Sequence, residues 1–158
     1  MSGRLARLRP SAALTPIAQA EISRAEAALG ARFPDGYAAL MTRFGRGVLG
    51  GLVRIYTPDA IVAGVEEWRL RIDEYWFWEA TEGVLPKAHA LECVVLGDTV
   101  GGDELIFHPS APNRLYVLAH DFDQAHLVSE AGLGPALDWF FTSGVLDEPF
   151  EDDGFEPY

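Results

Sequence analysis

Leu91-Glu92-Cys93-Val94-Val95-Leu96, Leu105-Ile106-Phe107, Leu115-Tyr116-Val117-Leu118 and Ala125-His126-Leu127-Val128 follow one another between residues 91 and 128. A glycine-rich turn, Pro112-Asn113 and the acidic turn from Asp121 to Asp123 separate these four runs. Short apolar runs bounded by turn residues read as strands, and connections this brief leave consecutive strands antiparallel. The stretch is therefore an antiparallel meander.

Upstream of the meander the period changes from two to nearly four. Ile17, Ala20, Ala25, Ala28 and Leu29 outline a helix, with Thr15-Pro16 as its cap and first-turn proline and Gly30 at its end. Pro34 opens a second helix whose stripe is Tyr37, Leu40, Met41 and Phe44, stopped by Gly45. Gly47, Gly50 and Gly51 then lead into the strand-like Leu52 to Tyr56. The glycines lack the Lys-Ser/Thr pair of a phosphate loop and join no strand to a helix, so they read as a turn and hairpin. Thr57-Pro58 caps a longer helix with Ile61, Val65, Trp68, Ile72 and Tyr75 or Trp76 on one face. Downstream, Leu133, Leu137, Phe140 and Phe141 mark a closing helix that stops at Gly144. The order predicts an α+β fold in a single domain, with a helical N-terminus, helices packed on one antiparallel sheet and a closing C-terminal helix. The expected divisions are a loose basic arm over residues 1–14, the domain over 15–146 and an acidic aromatic tail over 147–158.

Charge narrows the partners. The chain of 158 residues carries a net charge of -12, and the 44 positions after Arg114 hold ten carboxylates and no Lys or Arg. Nucleic acids and anionic membrane surfaces are held chiefly through Lys and Arg, so neither is an expected partner, whereas a basic protein is. The single cysteine, Cys93, lies in an apolar run and reads as a buried, inert thiol. No apolar run reaches the length of a membrane span. The first residues, with Arg4, Arg7, Arg9 and Pro10, lack the pattern of a signal peptide, so a cytoplasmic location is expected.

Candidate chemistry is sparse. Asp98, Asp103 and Glu104 surround a glycine turn, where they read first as hydrogen-bond anchors of a hairpin. His108, His120, Asp121, Asp123 and His126 are suitable residue types for a metal or a general base, but no metal-binding spacing joins them. His120 with Asp121 is the one pair that merits testing for catalysis. No cofactor and no metal is expected. The consecutive aromatics Tyr75-Trp76-Phe77-Trp78 cannot all face one core if they continue a helix. Either residues 79–89 roof them or an outward ring makes a contact surface; the helical register with Ile72 assigns Trp76 to the core and Trp78 to the contact. In the tail, Phe150, Phe155 and Tyr158 either pack back on the domain or insert into a partner beside the flanking carboxylates. The candidate partner-binding residues are thus Tyr75, Trp78, Asp98, Asp103, Asp121, Asp123, Glu151, Asp152, Asp153 and Phe155.

The chain resembles the SUKH superfamily. The resemblance is carried by Ala25-Glu26 through Leu29-Gly30, Phe33-Pro34-Asp35 with Tyr37, and Phe44-Gly45-Arg46-Gly47. Leu96-Gly97-Asp98, Gly101-Gly102-Asp103, Ile106-Phe107, Leu115-Tyr116-Val117-Leu118, His120-Asp121 and the helix ending in Trp139-Phe140-Phe141 continue it, over roughly residues 17 to 143. The chain departs from it in the long aromatic-ended helix at 60–78 and in the acidic tail. The resemblance implies no shared catalytic centre. It implies an immunity protein that binds and neutralises a cognate bacterial toxin domain, such as a nuclease, through charge complementarity. The alternative it leaves open is a scaffold or regulatory protein-binding module outside toxin systems, like the yeast cell-wall regulators of the superfamily.

Overall fold

A computed structural model describes residues 3–121 and 124–158. Its elements in chain order are α1 (Arg4–Arg7), β1 (Arg9–Pro10), α2 (Gln19–Leu29), α3 (Tyr37–Arg43), β2 (Gly47–Leu49), β3 (Val53–Ile55), α4 (Pro58–Asp73), α5 (Trp78–Thr81), α6 (Lys87–Ala90), β4 (Val94–Thr99), β5 (Glu104–Phe107), β6 (Leu115–Leu118), β7 (Ala125–Ser129), α7 (Leu133–Thr142) and β8 (Gly154–Pro157). Among the described residues the eight strands form one sheet in the order β1-β8-β2-β3-β4-β5-β6-β7.

The meander from β4 to β7 pairs antiparallel throughout, as its short connections require. Every residue of β5 and β6 is buried. Leu105, Phe107, Leu115 and Val117 join one apolar cluster with α2, α3 and α7, while Ile106, Tyr116 and Leu118 join a second with Trp68, Ile72, Phe77 and Trp78. Apolar groups cover both faces of these strands, which explains runs that are continuously apolar where a half-exposed strand would alternate. Helix α4 serves both clusters, giving Ile61 and Val65 to the first and Trp68 and Ile72 to the second. A register shift between Val95 and Gly97 bends β4, and a Cβ at Gly97 would stand 2.2 Å from the Arg54 carbonyl oxygen, so only glycine fits there.

Two expected helix boundaries move. Helix α2 begins at Gln19; Thr15 instead bridges to Gly45, and the Glu21 carboxylate accepts the Ala18 N–H at 3.0 Å at the helix start. Helix α4 ends at Asp73, before the four aromatics. Its last turn is closed from outside, because the Trp78 indole N–H donates to the Ile72 carbonyl at 3.0 Å and Lys87 Nζ donates to the Asp73 carbonyl at 2.8 Å.

The expectation of a purely antiparallel sheet and a chain that closes on a helix is corrected by the C-terminus. Helix α7 forms, but the chain ends in strand β8, antiparallel to β2 and parallel to β1, so the sheet is mixed. Residues from the two segments expected to lie outside the domain meet here. The physical cause is one apolar ring and one buried cation. Phe155 is fully buried with its ring 5.2 Å from that of Phe44, and it lies so close to Gly47 that a Cβ there would stand 2.4 Å from the ring. Arg4, also buried, lays its guanidinium 3.9 Å from the Phe141 ring centroid, donates to the Asp152 carbonyl at 2.9 Å and pairs with Asp153 at 3.1 Å and Asp138 at 3.4 Å. A buried cation is tolerated only with such partners.

Replacing Phe155 with Ala removes a fully buried ring from this junction, and stability falls by about 3–5 kcal/mol in urea denaturation. A loss below about 1 kcal/mol would show that β8 adds little to the core.

Candidate functional site

A charged row crosses the second face of the sheet beside the apolar cluster of Trp68, Ile72, Ile106, Tyr116 and Leu118. Arg54 on β3 and Asp98 on β4 are register partners, and they form a two-pronged pair at 2.8 and 2.6 Å. Asp98 is opposite Glu104 on β5, which places two carboxylates on adjacent strands. Like charges in that position repel, so each requires its own cation. Arg54 serves Asp98. For Glu104 the cation comes from α4, where the one-turn spacing of Trp68 and Arg71 brings both side chains to the same carboxylate oxygen. Trp68 Nε1 donates to Oε2 at 2.9 Å and Arg71 Nη2 donates to it at 2.7 Å, while Arg71 also contacts the Tyr75 hydroxyl. The other oxygen, Oε1, is buried without a hydrogen-bond partner. Burial pushes the Glu104 carboxyl above its ordinary range despite Arg71 and Trp68.

Two openings flank this row and share Tyr56 and Ala60. The larger, about 420 Å³, is lined by Arg46, Arg54, Thr57, Asp98 and Tyr158, with the Arg46 guanidinium 4.3 Å from the Tyr158 ring centroid. The smaller, about 210 Å³, is lined by Gly64, Glu67, Trp68, Arg71, Val95 and Glu104. Burial raises the Tyr56 phenol, which stays neutral between them. The sequence shows Glu104 beside Asp103 as part of one turn cluster. The strand's alternation sends Glu104 to α4 and Asp103 elsewhere.

Asp103 anchors the β4–β5 turn. Its Oδ2 accepts the Thr99 hydroxyl at 2.7 Å, and its Oδ1 accepts the His120 backbone N–H at 2.8 Å and pairs with His120 Nδ1 at the same distance. Burial acts to raise the Asp103 carboxyl, but these donors outweigh it and hold the group below its ordinary range. The Asp103 hydrogen bond in turn raises the exposed His120 imidazole. His120 is thus engaged with Asp103 rather than poised with its neighbour Asp121, which is exposed. Asp123 lies outside the described residues.

The other histidines also have structural partners. His108 Nε2 contacts Glu92 at 2.8 Å and its ring stacks on His89 at 4.0 Å, whereas the His126 ring lies 5.5 Å from Trp139. Among the described residues, no three His, Cys, Asp or Glu side chains gather in a way that could hold a metal ion. Cys93 is buried, and burial pushes its thiol up to about 12. It is protonated, and therefore poorly nucleophilic, at neutral pH.

At the aromatic corner the two indoles exchange the places that helical register assigned them. Trp78 is buried at the start of its own short helix, where the Thr81 hydroxyl lies 3.2 Å from both the Trp78 and the Leu85 carbonyl and donates its one proton to either, and Phe77 packs on the indole with ring centroids 5.0 Å apart. Trp76 is 89% exposed, while Tyr75 is half-buried beside Phe77. That register holds only for a helix that continues through residue 78; α4 stops at Asp73, and Trp76 sits in the turn that follows. In the tail, Phe155 is core, Asp152 and Asp153 are tied to the N-terminal arginines, with Arg7 Nε 3.3 Å from Asp153, and Glu151 is exposed.

The Asp103–His120 pair gives stability a definite pH window. The lowered carboxyl contributes above its unfolded pKa of about 4 and loses that share as pH falls through its folded value. The raised imidazole contributes below about 6.5 and loses that share as pH rises through its folded value. The pair is therefore fully effective from roughly pH 4 to 6.5. The stability difference between the parent and His120→Ala is expected to be larger at pH 5 than at pH 9, read as urea midpoints; equal differences would show that charge on the ring is irrelevant.

Comparison with known sequences places this arrangement in a family. The model of the SMI1 / KNR4 family (SUKH-1) matches residues 16–131, from just before α2 to just beyond β7, and so takes in the charged row, the Asp103 anchor and the aromatic corner. Helix α7 and the junction of β1 with β8 fall outside the matched span. No curated protein matches the chain. With most of the chain and its whole meander inside the match, the protein belongs to the SMI1 / KNR4 family (SUKH-1).

Proposed function

We propose that this protein is an immunity-type binder that acts in the cytoplasm, where it neutralises a basic toxin domain by occluding its functional surface. The observation that carries the reading is the one-sided charge beyond Arg114, together with family membership. Of the tail carboxylates, Asp147, Glu148, Glu151 and Glu156 are exposed, so they present their charge to solvent. A basic cleft, such as a nuclease needs to hold phosphates, is the complementary surface. Occlusion requires no chemistry from the binder. The engaged state of His120 and the protonated Cys93 fit a protein that works by contact alone.

Trp76 supplies the apolar part of the contact. An indole this exposed, with Asp73, Glu74, Glu79 and Glu82 exposed nearby in the chain, combines a ring that desolvates well with carboxylates that steer a basic partner. Tyr75 precedes it in the chain and is half-buried, while Trp78 is buried. Asp98 and Asp103 support the surface as anchors, and Asp121 adds exposed charge.

Co-purification from the native cell, with the products of neighbouring genes tested for toxicity, checks the central reading. The expected result is a stable complex with one basic product and protection of cells from it. A protein that stays alone and protects against none is a scaffold or regulatory module instead. Within such a complex, raising the salt concentration should slow association at least about tenfold while changing dissociation less. Trp76→Ala should weaken binding by about 2 kcal/mol or more with an unchanged melting temperature. Unaltered affinity would place the interface elsewhere.

A further inference from the structure

The larger opening beside the charged row contains a cation that the chain's own carboxylates leave alone. Strands β2 and β8 pair with Gly47 opposite Pro157, so the residues flanking that pair, Arg46 and Tyr158, are neighbours, and the Tyr158 backbone N–H donates to the Arg46 carbonyl at 3.4 Å. The Arg46 guanidinium lies over the Tyr158 ring, 4.3 Å from its centroid. A guanidinium held by its face keeps its N–H groups free in its own plane, where they match the two oxygens of a carboxylate. Among the described residues no carboxylate side chain pairs with Arg46. Arg46 is exposed and Tyr158 is 57% exposed, so this donor set faces solvent.

The rest of the lining specifies the guest. Arg54 gives Nε and Nη2 to the two oxygens of Asp98, which neutralises that carboxylate and leaves the guanidinium's Nη1 over. The lining side chains thus hold two guanidiniums against one carboxylate, and the uncompensated charge is positive in a chain whose net charge is -12. The Thr57 hydroxyl makes no capping hydrogen bond to α4 and is a further donor. Tyr56 and Tyr158 add flat aromatic surface. The volume of about 420 Å³ falls within the roughly 300–1,000 Å³ of small-molecule sites. The overall negative field disfavours a polyanion, so one negative charge on a flat apolar body is the guest that suits both charge and walls.

We infer that this opening is a binding site for a small aromatic carboxylate, its carboxylate on the Arg46 guanidinium and its ring against the tyrosine walls. The inference goes beyond the function proposed above and does not depend on it: that reading uses the acidic surface and Trp76, whereas this one uses an unpaired guanidinium.

The test uses the full chain. Benzoate is titrated at neutral pH and constant ionic strength while the backbone amides of Arg46, Thr57 and Tyr158 are followed by NMR. Benzyl alcohol, benzylamine and acetate serve as neutral, cationic and ring-free controls. A saturable shift with benzoate, with Kd in the millimolar range, and at least about tenfold weaker binding of each control are expected. Arg46→Gln should weaken benzoate at least about tenfold, and Arg46→Lys, which keeps the charge and loses the fork, should fall between it and the parent. Arg46 is exposed, so both variants should keep the parent melting temperature. Arg43→Gln removes another exposed cation, at the end of α3 and outside the lining, and should leave benzoate binding unchanged. No saturable shift, an unaltered Kd in Arg46→Gln or an equal loss in Arg43→Gln overturns the site. Undiminished binding by Arg46→Lys overturns the guanidinium fork as its receptor, and a control that binds as tightly as benzoate overturns the aromatic carboxylate as its guest. Failure here leaves a co-purified complex with a basic protein standing, and a missing protein partner leaves the benzoate result standing.

Discussion

The covering of β5 and β6 on both faces is the constraint from which the rest of this structure follows. A strand buried on both sides has no face for charge, so Leu105-Ile106-Phe107 and Leu115-Tyr116-Val117-Leu118 supply apolar or amphipathic groups at every position. Under that constraint Glu104 is an exception that must be stabilised locally. Its environment is built for the purpose: α4 crosses it with an indole N–H and a guanidinium one turn apart, and the neighbouring strands add the Asp98–Arg54 pair. One oxygen of Glu104 still lacks a donor. An unsatisfied buried acceptor of this kind is uncommon in folded proteins.

The edge of the sheet is managed differently. On one side the last strand is β1, only two residues long, which leaves little open ladder for another chain to extend. It is held there by β8 and by Arg4, whose guanidinium meets the Phe141 ring, the Asp152 carbonyl and two carboxylates. The acidity of the tail therefore has two physical uses. Asp152 and Asp153 are consumed in fastening the first residues to the last, whereas Asp147, Glu148, Glu151 and Glu156 remain available to an external field.

Several groups that could have carried chemistry are instead structural. Asp103 holds a turn and orients His120, His108 is shared between Glu92 and His89, and Cys93 is buried beside the His89 carbonyl at 3.4 Å. What stays at the surface in unusual form is an indole and a set of carboxylates. The proposed binding role rests on these features, in a chain that belongs to the SMI1 / KNR4 family (SUKH-1).

The sequence by itself determined the meander, the helices α2, α3 and the body of α4 before it, and α7 after it. Each of these depends on local patterning: apolar runs with turn residues between them, a stripe at helical period, and proline or glycine at the ends. It also determined the sign of the field, since net charge is additive and needs no coordinates. Only tertiary structure decided the rest. The end of α4 at Asp73 came from Trp78 and Lys87 reaching back to its last carbonyls, contacts at a distance that helical register does not encode, and the exchange of Trp76 and Trp78 between surface and core followed from it. Strand β8 formed because one phenylalanine in an acidic segment found a pocket over Gly47 beside Phe44, and because the cation that balances Asp153 lay 149 residues before it in the chain, at Arg4. The partner of Glu104 was settled in the same way, by a helix crossing a sheet. Patterns along the chain report which residues seek burial or water, but which groups meet is fixed only when the elements pack.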